Sequence, residues 1–323
     1  MDEISALDIS SGQSISAILL PTFKIFAPLL LKNKEAIKSI PPTTHLYGSH
    51  PRQELDVYRA ATDTLATPVL VFCHGGGLIR GDKNLAQFPD GLVYANVGAF
   101  FAARGVTTIV PNYRRVDSEF GGEGAVFPSG GEDVAAVLGW LEGFMQGPGA
   151  RDVFLMGNSA GGVHVSTFLL EPRFLEQRLR YSGDREGGLV VRGVVQLAVP
   201  CHFDSADSSR ADVLERYYGG VEEAKGKCVC GLLESVKRTG KGRGELGIPG
   251  RMLAAVGEFD PVDEIKGPME DFVKMWKEAF GGEGLVEQRL KGHNHISPPM
   301  SLMSGEREGE AWGEHVVRWI QAS

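Results

Sequence analysis

Apolar residues along this chain fall into short, nearly unbroken runs rich in β-branched types, and most runs lead into a segment whose apolar positions recur at helical spacing. The runs at 67–73, 107–110, 153–156, 190–199, 252–257 and 285–290 predict strands. The segments at 92–104, 132–145, 160–170, 264–280 and 311–320 predict helices. Strands that are apolar throughout, rather than alternating, have to be covered on both faces, so the rhythm predicts a doubly wound α/β architecture with a mostly parallel sheet.

Two stretches depart from the rhythm. The first strand is expected near Leu55, which leaves residues 1–53 ahead of it. Residues 201–250 separate two strands that should be sheet neighbours, with helical stretches of their own at 212–218 and 229–236. An insertion of that length usually forms a lid or a specificity element. The apolar stretch 15–31 is broken by Pro21, Lys24 and Pro28 and is shorter than the roughly 20 residues that cross a bilayer, so it predicts an amphipathic segment packed on the body or over a cleft, with no integral membrane span. The apolar stripe of the last helix, if exposed, could pair subunits into a homodimer.

Composition narrows the classes. Hydrophobic residues make up 42% and charged residues 23% of the 323, which suffices for a large core and argues against global disorder. With 33 basic against 41 acidic residues the net charge is -8, and no basic run offers a phosphate-neutralising surface, so nucleic acid is not an expected partner. Cys73, Cys201, Cys228 and Cys230 lack C-x-x-C spacing and predict reduced thiols, with neither a disulfide framework nor a metal site. The acidic start Met1-Asp2-Glu3 and the lack of any N-x-S/T sequon favour a cytoplasmic location.

The chemistry is carried by four segments in a definite order. The strand at 153–156 runs into Gly157-Asn158-Ser159-Ala160-Gly161, a G-x-S-x-G between strand and helix. A serine hydroxyl becomes a nucleophile when a sharp turn projects it into a cleft beside a base, and the flanking glycines let strand and helix approach. Upstream, the strand ending at Cys73 leads into His74-Gly75-Gly76-Gly77, whose amides can converge on a developing oxyanion, together with the amide of Ala160. A dinucleotide loop fails because Arg80 stands where the third glycine belongs, and a phosphate loop fails because Gly81 is not followed by Lys-Ser/Thr. No cofactor is therefore expected.

Downstream, the strand 252–257 ends at Glu258-Phe259-Asp260-Pro261-Val262-Asp263, where α/β folds place ligands. Asp260 is the preferred acid; Glu258 could face the other way, and Asp263 suits the start of the next helix, where the dipole favours it. After the strand 285–290 come His293 and His295, one of which should be the base. His74 more naturally props the glycine loop, and His164 reads as a core histidine.

In this order, H-G-G-G, G-N-S-A-G-G, D-P and G-x-x-H resemble the α/β-hydrolase superfamily, and within it the hormone-sensitive-lipase-like esterases of the fold-3 type and related fungal esterases, over roughly residues 55–320. The resemblance implies an α/β-hydrolase fold as a single domain with a small cap drawn from 1–53 and 201–250. It implies Ser159 as nucleophile, Asp260 as acid and His295 rather than His293 as base, and the amides of Gly75, Gly76 and Ala160 as oxyanion donors. The activity it implies is hydrolysis of a small carboxylic ester through an acyl-serine. The family usually has an acidic residue before the nucleophile, where this chain has Asn158. Asn158, Leu78 and Phe203 are candidate substrate contacts, and Ile18, Leu19, Phe23 and Phe26 could close an apolar pocket from the N-terminal side. The segment 53–58 also resembles the entry strand of kynurenine-formamidase-like hydrolases, which keeps aryl formamides in view. An acyl-transferring or cyclising enzyme with the same triad, and a non-catalytic hydrolase-like binding protein, are the other readings.

Overall fold

The computed structural model describes all residues except 8–14, 87, 146–148, 184–187 and 323. The chain opens with three helices, α1 (Asp2–Ala6), α2 (Ile15–Lys32) and α3 (Lys34–Lys38), then strands β1 (Thr43–Leu46), β2 (Glu54–Tyr58) and β3 (Val69–Cys73). Alternation follows: α4 (Leu92–Ala102), β4 (Thr107–Pro111), α5 (Ser129–Phe144), β5 (Arg151–Asn158), α6 (Ala160–Leu170), α7 (Leu175–Arg180) and β6 (Leu189–Leu197). Between β6 and β7 (Arg251–Gly257) lie α8 (Ala211–Tyr218), α9 (Val221–Lys227) and α10 (Val229–Arg238). The chain continues with α11 (Gly267–Phe280), β8 (Leu285–Leu290), α12 (Ser297–Ser301) and α13 (Arg307–Gln321).

The strands form one sheet in the order β1-β2-β4-β3-β5-β6-β7-β8. β1 and β2 are antiparallel to their neighbours, and the other six run parallel. Side chains on the parallel strands divide by parity between two cores, as the two-residue period of a strand requires. Val69, Val71, Val153 and Leu155 point into the core beneath α5, α6, α10 and α11. Leu70, Phe72, Phe154 and Met156 point into the opposite core, covered by α4, α13 and the N-terminal helices. The doubly wound, mostly parallel sheet expected from the apolar runs is the sheet observed.

Four expectations need correction. The first strand is β1, twelve residues before Leu55 at its start; its side chains are mostly exposed, so no apolar run announces it. Pro21 and Pro28 lie inside α2 and do not interrupt it. A proline at the surface of a helix forfeits one backbone bond, and burial of Ile18, Thr22, Phe26 and Leu30 along one stripe holds the helix against the body. By length and composition α2 is long and apolar enough to cross a membrane. In the 201–250 insertion, α10 buries Val229, Leu232, Leu233 and Val236 in the core under the sheet, so that part of the expected cap belongs to the body. Finally, the apolar stripe of α13, with Trp312, Val316 and Ile320, is spent on the core over the sheet, which leaves no such stripe to pair subunits.

Candidate active site

Parallel register brings the site together. Cys73 pairs with Gly157, Asn158 with Leu197, and Gly257 with Leu290, so β3, β5, β7 and β8 end at one edge and release their following loops there. That edge is the carboxyl end of the sheet, the usual location of a ligand crevice.

Ser159 follows β5 directly, with φ 52° and ψ -121°. A non-glycine residue in this sparsely populated region is strained, and here the strain turns the hydroxyl out between β5 and α6. The turn is held from both sides. The Ser159 amide donates to the Leu197 carbonyl at 2.9 Å, and close approach is permitted by glycines. A Cβ on Gly157 would stand 2.4 Å from the Cα of Gly162, and one on Gly161 would stand 2.1 Å from the Cys73 carbonyl oxygen.

The Ser159 Oγ lies 3.0 Å from His295 Nε2, and His295 Nδ1 lies 2.9 Å from Asp260 Oδ1. With Nδ1 protonated, the ring donates to the carboxylate and leaves Nε2 to accept the serine proton. Asp260 and His295 are buried, and the other Asp260 oxygen accepts the Gly257 amide. Ser159, Asp260 and His295, singled out in the sequence, are thus brought into one hydrogen-bonded relay.

The competing candidates fall elsewhere. Glu258 accepts the Gly292 amide at 2.8 Å, and Asp263 is exposed on the turn Val262–Lys266. His293 is buried, with Nδ1 2.9 Å from Ser297 Oγ, and burial pushes its pKa down to about 4. His164 lies on the buried α6, with Nδ1 3.4 Å from the Tyr217 hydroxyl; burial, aided by His74, pushes its pKa down to about 3. Both are neutral packing groups.

The glycine loop runs alongside Ser159. Gly75 lies so near that a Cβ there would be 3.4 Å from Ser159 Cβ and 3.1 Å from Asn158 Oδ1. Gly76 has φ 150°, and a Cβ on it would meet the Arg80 carbonyl oxygen at 1.8 Å, so a side chain is excluded on both counts. His74 braces this loop. Its Nδ1 lies 2.8 Å from the Gly75 carbonyl, its own carbonyl accepts the Tyr113 hydroxyl at 2.7 Å, and its ring stacks on Tyr94 and Tyr113. Burial pushes the His74 pKa down to about 4. Behind it, Arg52 pairs with Asp82 and donates to the carbonyls of Gly81 and Tyr113. Sequence reading missed Arg52 and Asn112, whose side chain accepts the Lys83 amide; neither stands in a motif.

Of the three candidate substrate contacts, Asn158 is reassigned. It is buried, donates to the Leu197 carbonyl at 3.2 Å and lies under Gly75, which makes it a support of the glycine loop. Leu78, with φ 71°, belongs to one apolar cluster with Ala160, Val213, Leu214 and Tyr217, so residues of α8 share a core with the glycine loop and the nucleophile turn. Phe203 is half-buried against Tyr218 at the rim of the same cluster. On the N-terminal side, Ile18 and Phe26 are buried in the body, and Phe23 meets Phe88 edge-on. All four cysteines are free and buried.

A parallel sheet with a strained serine turn after its central strand, a glycine-rich loop beside it and an acid and histidine after the last two strands is an α/β-hydrolase of the esterase type. Residues 55–219 match the BD-FAE family model, and the chain belongs to the BD-FAE family. Among curated proteins it is 28% identical over 161 residues to a probable isoprenylcysteine alpha-carbonyl methylesterase of Arabidopsis thaliana, covering 50% of this chain and 34% of that protein. It is 31% identical over 178 residues to liver carboxylesterase B-1 of Rattus norvegicus, covering 50% of this chain and 27% of that protein. The matches thus span about a third or less of these relatives. Esterase B of Lactobacillus rhamnosis, solved with a C4-C4 tributyrin phosphonate, superposes with a TM-score of 0.61 at 17% identity over 96% of both chains; at that identity the likeness concerns the fold.

Proposed function

We propose that the protein is a serine esterase that hydrolyses small carboxylic esters through an acyl-enzyme on Ser159. The observation that carries this reading is the unbroken relay from Asp260 through His295 to Ser159 at 2.9 and 3.0 Å, delivered by three strand ends to a strained serine.

In this mechanism the Ser159 hydroxyl donates its proton to His295 Nε2 as Oγ attacks the ester carbonyl. Asp260 holds the ring in the required tautomer and stabilises the imidazolium that forms. The tetrahedral oxyanion is bound by the amides of Gly75, Gly76 and Ala160. His295 then passes its proton to the leaving alcohol, and the same base activates water to release the acid.

The domain reading is one α/β-hydrolase body whose cap is the segment from Phe203 to α9. Its side chains Val213, Leu214 and Tyr217 meet Leu78 and Ala160 and form an apolar wall next to the nucleophile, which suits a compact acyl group. The carboxylesterase and methylesterase relatives and the tributyrin phosphonate bound by the structural neighbour support the same substrate class. A fluorophosphonate probe followed by peptide mass spectrometry tests the reading: the adduct should fall on Ser159, and labelling of another residue, or none, would overturn it.

A further inference from the structure

We infer that Thr22, on the N-terminal helix α2, is a positioning residue for His295, acting through Asn294; this rests on the reading of His295 as the base. The residue before His295 is fully buried, and its side-chain amide is used at both ends. Asn294 Oδ1 accepts the amides of Ile296 and Ser297 at 3.0 and 2.9 Å, which fixes the turn from His295 into α12. Asn294 Nδ2 donates to Thr22 Oγ1 at 2.8 Å, a bond joining residues 272 apart in the chain. Thr22 is itself completely buried. On the other side of the turn, the Asn294 amide and His293 Nδ1 both meet Ser297 Oγ, at 3.0 and 2.9 Å.

The consequence for His295 is geometric. An asparagine can satisfy both backbone amides with its oxygen only while its nitrogen points away from them, and Thr22 is the group that holds the nitrogen there. Without that acceptor the buried Nδ2 is left unpaired, and the amide gains by turning toward other partners and releasing the Ile296 and Ser297 amides. His295 is the residue inside that turn. A displacement of its ring by about 1 Å breaks the contact to Ser159 and costs on the order of 100-fold in rate. Just past the end of the helix the chain is pinned a second time, where Asn33 Nδ2 donates to the Ser304 carbonyl at 2.9 Å, but that anchor does not touch the His295 turn. Two anchors, one on the helix and one just past its end, of which only the first is adjacent to the base, separate docking of the helix from positioning of the histidine.

The full chain carrying Thr22→Val, Thr22→Ser or Asn33→Ala is assayed with p-nitrophenyl butyrate, well below each melting temperature. Thr22→Val should lower kcat at least about tenfold with KM within about twofold, and Thr22→Ser should restore kcat to within about twofold. Asn33→Ala should lower the melting temperature and leave kcat within about twofold. A folded Thr22→Val with parental kcat, or an Asn33→Ala with an equal loss of kcat, overturns the inference. If Thr22→Val does not fold, Thr22→Ala against Thr22→Ser makes the same comparison, and loss of folding in both the Val and Ala variants overturns it too, since the threonine would then serve the fold. Ser159→Ala run in parallel separates the two readings. Undiminished turnover there ends the esterase reading, whereas an inactive Ser159→Ala beside an active Thr22→Val ends the positioning role alone.

Discussion

Ser159 Oγ and His295 Nε2 stand 3.0 Å apart across 136 residues of chain. Such a contact forms only because β5 and β8 run in the same direction and finish at the same edge. Ser159→Ala and His295→Ala should each lower turnover of p-nitrophenyl butyrate by on the order of 10⁴-fold or more, and the double variant should be little worse than either, because the pair acts as a unit. His293→Gln should keep turnover within a few-fold. Steady-state kinetics on the four proteins decides it, and the opposite pattern at the two histidines would move the base to His293.

Asp260→Asn should cost about 10³ to 10⁴ in kcat, since an amide favours the wrong imidazole tautomer. Glu258→Gln should leave kcat within about threefold, because Glu258 serves the Gly292 amide and not the ring. Equal losses in the two variants would sink the assignment of the acid.

Gly161→Ala should destabilise the fold by about 1–3 kcal/mol or more, and lower turnover as well. The new methyl would meet the Cys73 carbonyl oxygen at 2.1 Å, and backbone cannot move aside as a flexible side chain does. At Gly139, where no atom lies within 4 Å of the added carbon, alanine should be tolerated. Urea unfolding midpoints of the pair test this, and indistinguishable midpoints would refute it.

His74, His164 and His293 are all held neutral by burial, with pKa values near 4, 3 and 4. In the unfolded chain they titrate near 6.5, so between roughly pH 6.5 and 4 the unfolded state binds more protons. Stability should be fully present above about pH 7 and decline as the pH falls through that window, each site withdrawing up to about 3 kcal/mol. Chemical denaturation from pH 7.5 to 4.5 should show the slope, and His164→Leu should flatten it. A stability that rises on acidification across this range would contradict the protonation states assigned.

With Leu78, Val213, Leu214 and Tyr217 walling the nucleophile, p-nitrophenyl esters should be turned over best at short acyl lengths, about two to six carbons, and poorly beyond. Each methylene gains roughly 0.8 kcal/mol only until the wall is reached. Leu214→Ala should shift the optimum to longer chains; an optimum that does not move would argue that the acyl group lies elsewhere.

What could be read in advance divides along physical lines. The central strands and the relay were legible because fully buried strands such as Val69–Cys73 have no polar alternation, and because Ser159, Asp260 and His295 stand one, three and five residues after strand ends. β1 was not legible, since its exposed Thr43, Thr44 and Leu46 resemble a loop. The continuity of α2 through Pro21 and Pro28 comes from tertiary packing of Ile18, Phe26 and Leu30, which local propensity does not reveal. Asn158 stands in the position of a pocket residue, yet its amide is consumed by the Leu197 carbonyl, a partner 39 residues away. The bond between Thr22 and Asn294 belongs to the same class of information, fixed by topology and carried by no motif.

The arrangement of α2 also imposes an order on biosynthesis. Translation delivers this helix some 270 residues before Asn294 and Ser304, which hold it and the residue that follows it. Until they arrive, the helix has an apolar stripe without its seat, and a ribosome-bound chain holding the nucleophile turn still lacks the histidine. Closure of such distant contacts is entropically slow, and exposed apolar surface during the wait favours aggregation. A nascent chain therefore cannot form the contact between Ser159 and His295 until the ribosome has passed residue 295, well after the serine turn has been made.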